Sequence, residues 1–95
     1  MNTANLQIEG VLLALAALCE TLERKGMLSR EEIETALQRA EGGVSARKPE
    51  LSEANTEAIR FPIRFLQLAL QRGGEPLDYH AITAEIGRMR DRERM

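Results

Sequence analysis

The chain has 95 residues, of which 43% are hydrophobic and 29% charged, and its formal net charge is −2. This length corresponds to one domain, and this balance excludes a disordered chain and disfavours electrostatic binding of the whole domain to nucleic acid or anionic lipid. The single cysteine, Cys19, excludes an intrachain disulfide, which is typical of the cytoplasm, where we expect the protein to reside.

The first predicted helix covers about residues 4–25, because its large apolar residues recur on one face at helical spacing. The apolar run at residues 11–19 is shorter than the roughly 20 residues that span a bilayer, and Glu9 and Glu20 flank it. No Lys or Arg precedes Arg24, so the basic start of a signal peptide is missing. We therefore expect no membrane association and interpret the run as a buried helix face.

The second helix has the clearest start signal in the sequence. Ser29-Arg-Glu-Glu is a capping box, and it predicts a helix over about residues 30–42. Gly26 is placed to end the preceding helix in the left-handed conformation. Val44 keeps the apolar phase of the second helix, so the helix can continue through the glycine pair before it, and residues 45–51 read as a connecting loop.

The third helix, predicted over about residues 53–72 with Ser52 as its N-cap, is the most apolar segment. Its apolar arc of roughly 220° exceeds the arc of about 100° that is usual for a surface helix. Pro62 lacks a backbone donor, so it predicts either a kink or a fresh helix start. We expect that the other helices cannot cover this arc completely.

The fourth helix is predicted over about residues 78–92, with Asp78 as its N-cap. The two short inter-helix turns favour antiparallel neighbours. The sequence therefore predicts an all-α single domain over residues 1–95, a compact four-helix arrangement of two αα-hairpins with helix 3 kinked near Pro62.

One polar stripe on the third helix is a candidate ligand-binding site. Two arginines one turn apart can hold an anionic ligand or a partner carboxylate, whereas the simpler alternative is a seam that faces solvent. The stripe consists of Arg60, Arg64, Gln67 and Gln71.

Exposed apolar faces point to self-association, most simply as a two-fold homodimer, or to another protein partner. The candidate interface residues come from the far side of the first helix and from the apolar arc of the third: Leu13, Ala16, Ala17, Phe61, Phe65 and Leu68. The leading interpretation is a non-enzymatic interaction module. The alternative is a bundle that binds a small apolar or anionic ligand between its helices.

A third interpretation, nucleic-acid regulation, depends on the arginine-rich tail, which contains Arg88, Arg90, Arg92 and Arg94. Acidic residues offset most of this charge, so we expect a solvated helix end. A helix-turn-helix interpretation of the first hairpin is disfavoured because its second helix begins with glutamates.

No combination of residues predicts a catalytic centre, a metal site or a cofactor. We expect Cys19 to be buried and inert and His80 to have no metal partners.

Overall fold

The computed structural model describes residues 3–93 and contains four α-helices within that range. They are α1 (Thr3–Arg24), α2 (Arg30–Arg47), α3 (Glu53–Gln71) and α4 (Tyr79–Glu93), and a single 3₁₀ turn at Lys48–Glu50 precedes α3. No strand occurs among these residues. The predicted all-α, four-helix fold is confirmed.

The helix ends follow the predicted capping chemistry. The Ser29 hydroxyl accepts a hydrogen bond from the Glu32 amide at 3.1 Å, and the Glu32 carboxylate accepts one from the Ser29 amide at 2.9 Å, which completes the capping box. Ser52 and Asp78 accept equivalent bonds at the starts of α3 and α4. Gly26 ends α1 with a φ of 73°, a conformation that favours glycine.

The α2 helix is longer than the predicted core of 30–42. It continues through the glycine pair to Arg47 because Val44 is buried and holds that last turn against the fold. The predicted loop at residues 45–51 is therefore wrong over its first half and reduces to the 3₁₀ turn and Leu51.

The α3 helix occupies the centre of the molecule and packs against α1, α2 and α4. It is one helix that passes through Pro62, so the predicted alternative of a fresh start is wrong. The core lies where α3 meets α1 and α4, and it contains Leu12, Ala16, Phe65, Leu68, Ala69, Ile82 and Ile86.

The α3 helix is also better covered than the sequence suggested. Three neighbours surround it, so Phe65, Ala69 and Leu70 are buried, and Ile59 is the large apolar residue of α3 that stays exposed. The expectation that α3 would need a second chain to cover it is corrected by this central position.

Candidate functional site

The uncovered apolar surface lies on α1. Four residues, hereafter the α1 stripe, are between 40% and 59% exposed: Ile8, Val11, Leu15 and Leu18. Among the described helices, α1 packs extensively against α3 alone, and it buries only Leu12 and Ala16 there. The interpretation of residues 11–19 as a buried face holds for Leu12 and Ala16 and is corrected for Val11, Leu15 and Leu18, because one neighbour covers only one side of a helix.

The carboxylates of α1 lie on its packed side. Glu9 borders a groove between α1, α3 and α4, and Glu20 and Glu23 border a second groove beside Leu70 at the end of α3. On a helical projection they point about 130° away from the α1 stripe. This arrangement is the reverse of an ordinary surface helix, whose charged face meets water.

Two of these carboxylates have contrasting surroundings. Glu23 pairs with Arg30 of α2, with Nε and Oε1 3.1 Å apart. The Oε1 atom of Glu20 is buried and accepts no hydrogen bond within the described part of the chain. Burial raises the pKa of the neighbouring Cys19 thiol, and the Glu20 charge raises it further. A thiol with a raised pKa is a poor nucleophile at neutral pH.

The six predicted interface residues differ in their burial: some lie in the core, and others are half-buried or exposed. Ala16, Phe65 and Leu68 lie in the core of the single chain, so their predicted place on an exposed interface is corrected. Leu13 and Phe61 are half-buried against that core, and Ala17 is exposed on the side of α1 away from the stripe.

The four residues predicted as a ligand-binding stripe on α3 lie together around one groove. Its arginines contact carboxylates as well as solvent. Arg60, whose side chain is 18% exposed, donates from Nε to Oε2 of Glu41 at 3.1 Å and lies 3.5 Å from Glu57. Arg64 also lies near Glu57, at 3.9 Å. The carboxylates that these arginines contact belong to the same chain.

The rest of that stripe borders a shallow groove of about 330 Å³, with Gln67 and Gln71 beside Met89 of α4. An anion entering this groove would compete with Glu41 and Glu57 for Arg60. The geometry therefore favours an inter-helix ion-pair cluster over an open anion site.

The arginine-rich tail is partly neutralised on its own helix. Glu85 contacts Arg88 and Arg92, and these contacts lower the pKa of its carboxyl. Arg90 is exposed, and Arg94 lies outside the described residues. One carboxylate offsets one positive charge, so the pairing reduces the charge available to a phosphate backbone.

The histidine and the other residues that could bind a metal lie apart from one another in the described part of the chain. His80 is exposed and contacts the Tyr79 ring edge-on, with centroids 6.1 Å apart. Between residues 3 and 93 no three His, Cys, Asp or Glu side chains converge as a metal site would require.

The α1 stripe was visible in the sequence, but it was interpreted as part of a buried face. Its spacing of three, four and three residues is that of a coiled-coil seam, and Leu22 continues it. A periodic pattern identifies an apolar face, and it does not say whether the partner belongs to the same chain. The signal that could have separated these cases is the placement of Glu9 and Glu20 on the other side of the helix.

The α1 helix is also long and apolar enough to cross a membrane, and only 11% of its most apolar stretch is buried inside the fold. Core helices of soluble proteins and signal sequences can have the same length and composition. Three carboxylates, from Glu9, Glu20 and Glu23, lie within this helix, and charged side chains inside a membrane-spanning segment are rare because they are costly to insert.

Exposed apolar side chains are concentrated at one end of the sequence. Within residues 3–93, eight large hydrophobic residues are exposed, and seven of them lie between Leu6 and Leu28. This region therefore contains the candidate functional surface of the described fold. Comparison of the chain with protein-family models, with curated proteins and with solved structures finds no match.

Proposed function

We propose that this chain is a non-enzymatic helical module that self-associates, with the α1 stripe of one copy packed against the α1 stripe of a second copy about a two-fold axis. The exposure of the α1 stripe supports this proposal: four large apolar side chains face water on a helix whose carboxylates face inward. Contiguous apolar surface of this kind usually marks an interaction site in a soluble protein.

The spacing of the stripe suits a helical partner. Residues at positions 8, 11, 15 and 18 follow the alternating three- and four-residue steps that keep a seam facing a neighbouring helix. Within the 22 residues of α1, the stripe runs from Ile8 to Leu18 and gives a seam about 15 Å long at 1.5 Å per residue. A second copy supplies a seam of equal length and equal spacing.

The available area also suits a dimer. The exposed parts of the α1 stripe amount to about 400 Å², and Met27 and Leu28 at its C-terminal end bring this to about 600 Å², against about 800 Å² per partner in a standard interface. Small side chains beside the stripe, such as Ala4 and Ala14, contribute the remaining contact.

The charge pattern favours a second copy over a charged partner. No Asp, Glu, Lys or Arg lies on the α1 stripe, and Glu9, Glu20 and Glu23 point away from it. Two copies can therefore approach without like-charge repulsion, and a charged partner would find no complementary group on the seam.

Sedimentation equilibrium of the full chain tests this proposal. We expect a dimer for the unmodified chain and a monomer for Leu18→Glu, because two carboxylates would be buried in the apolar seam. Ala17→Glu is the matched control, since it adds the same charge to the exposed far side of α1 and should leave the dimer intact. Circular dichroism should show equal helix content in all three. A monomeric unmodified chain at high micromolar concentration would contradict the proposal.

Flotation with phosphatidylcholine vesicles separates self-association from membrane binding. We expect the chain to stay in the soluble fraction as a dimer. Vesicle binding by the unmodified chain that Leu18→Glu abolishes would instead make lipid the occupant of the α1 stripe, and would overturn the choice of a second copy.

A further inference from the structure

A large open groove of about 920 Å³, hereafter the N-terminal groove, lies on the described fold. It lies between the start of α1, the first half of α3 and one side of α4, and it shares Glu57 with the ion-pair cluster at Arg60. Its apolar wall is formed by Leu6, Ile8, Phe61 and Pro62. The volume is in the range of small-molecule sites.

One of the aromatic residues that line this groove is held by the core. Tyr79 is half-buried, and its ring lies 5.3 Å from that of Phe65, which is fully buried in the core. Phe61 continues the aromatic row, 6.5 Å from Phe65. Tyr79 is therefore held in place by packing where it lines the groove.

The charged residues at the groove are mainly acidic. Three carboxylates border it, from Glu9, Glu53 and Glu57, against a single guanidinium, from Arg90. Glu57 is shared with Arg60 and Arg64, whereas within residues 3–93 no ion pair or hydrogen bond engages Glu9 or Glu53. This excess of negative charge disfavours an anionic ligand and favours a cation.

We infer that the N-terminal groove binds a hydrophobic organic cation, with its apolar part against Leu6 and Phe61 and its cationic head between the Tyr79 ring and the Glu9 carboxylate. An aromatic face attracts an ammonium group within about 6 Å of the ring centroid, and a nearby carboxylate adds charge attraction. The apolar wall supplies the contact area for the remainder of the ligand.

The electrostatics at Tyr79 agree with this assignment. Burial raises the pKa of the Tyr79 hydroxyl, and the Glu9 charge raises it further. The negative potential of Glu9 therefore reaches the tyrosine, so a cation placed between the two groups meets a favourable potential.

Tyrosine emission gives a direct readout, because Tyr79 is the only tyrosine and the chain has no tryptophan. The probes are hexyltrimethylammonium, hexanol and hexanoate, which share a six-carbon chain and differ in charge. We expect a saturable change in emission at the lowest concentration with the cation, a weaker one with the alcohol and none with the carboxylate. Proton NMR of the Tyr79 and Phe61 rings provides a second readout.

Three variants assign the effect to the groove. Glu9→Gln should weaken binding of the cation about two- to fivefold, and Arg90→Gln should strengthen it about twofold, as expected for partly exposed charges. Arg88→Gln, on the same helix but outside the groove, is the control and should change nothing. The same titration on Leu18→Glu keeps the result independent of dimerisation.

Two outcomes would overturn the inference. One is binding of hexanoate or hexanol as tight as binding of the cation, which would mean that the groove does not distinguish ligands by their charge. The other is the absence of a saturable change with hexyltrimethylammonium in both emission and ring-proton shifts.

Discussion

At the scale of single residues, Arg60 joins α3 to α2. It extends from α3 to Glu41 of α2 and also contacts Glu57 one turn earlier in its own helix. Because its side chain is largely shielded from water, its removal would leave two neighbouring carboxylates without their shared cation.

We therefore predict that Arg60→Met lowers the free energy of unfolding by about 1–2 kcal/mol, the range for a hydrogen bond to a charged group that is partly exposed to solvent. Urea denaturation monitored by circular dichroism measures this. Arg88→Met, which removes an exposed arginine from α4, is the matched control and should change stability by less than about 0.5 kcal/mol. Equal stability of both variants would show that the Arg60 cluster contributes nothing to the fold.

At the scale of helices, the start of α2 depends on the Ser29 capping box. Ser29→Ala removes the acceptor for the Glu32 amide, and we predict a loss of about 1 kcal/mol in the free energy of unfolding. Ser29→Asp restores an acceptor and should retain most of the stability. Denaturation curves of the two variants test this, and identical curves for Ala and Asp would contradict a capping role.

Helix starts were predictable because capping is local chemistry. Ser29, Ser52 and Asp78 each satisfy an amide within three residues of themselves, so the sequence contains both partners of the bond. The end of α2 was less predictable. Its extension to Arg47 depends on burial of Val44 against another part of the fold, which is a tertiary effect.

The coverage of α1 and α3 could not be predicted from their own patterns. Both helices have wide apolar surfaces, and the sequence favoured α3 as the one in need of a partner. In the fold, α3 is central and three helices share its circumference, whereas α1 lies at the side with one extensive contact. Which helix becomes central depends on the connections and on the packing of all four, and periodicity contains no information on either.

The polar stripe of α3 could be grouped from the sequence, because residues three and four apart share a helix face. Its members, Arg60, Arg64, Gln67 and Gln71, border one groove. Glu41, the partner of Arg60, is 19 residues away in the chain and belongs to another helix, so no local pattern indicated it. Burial of Phe65 and Leu68 was hidden for the same reason.

At the scale of the whole molecule, the lateral position of α1 gives a slightly open shape. The radius of gyration is 13.9 Å, against about 12 Å for a compact chain of this length. A short chain buries a modest fraction of its surface, and here a large part of its longest helix stays in contact with water. Covering the α1 stripe with a second copy would add apolar burial that the single chain lacks.

Self-association through α1 should therefore appear in stability as well as in mass. If folding and dimerisation are coupled, mass action makes the Tm depend on protein concentration, and we predict a rise of about 4 °C for a tenfold increase. Leu18→Glu should have a lower Tm that is independent of concentration, because its seam is disrupted but its core is intact. Ala17→Glu should follow the unmodified chain.

Thermal unfolding monitored by circular dichroism over a hundredfold range of concentration measures this dependence. A concentration-independent Tm for the unmodified chain would mean that the four helices are as stable alone as together with a second copy. The exposed α1 stripe would then contribute nothing to stability through self-association, and the dimer proposal would lose its thermodynamic basis.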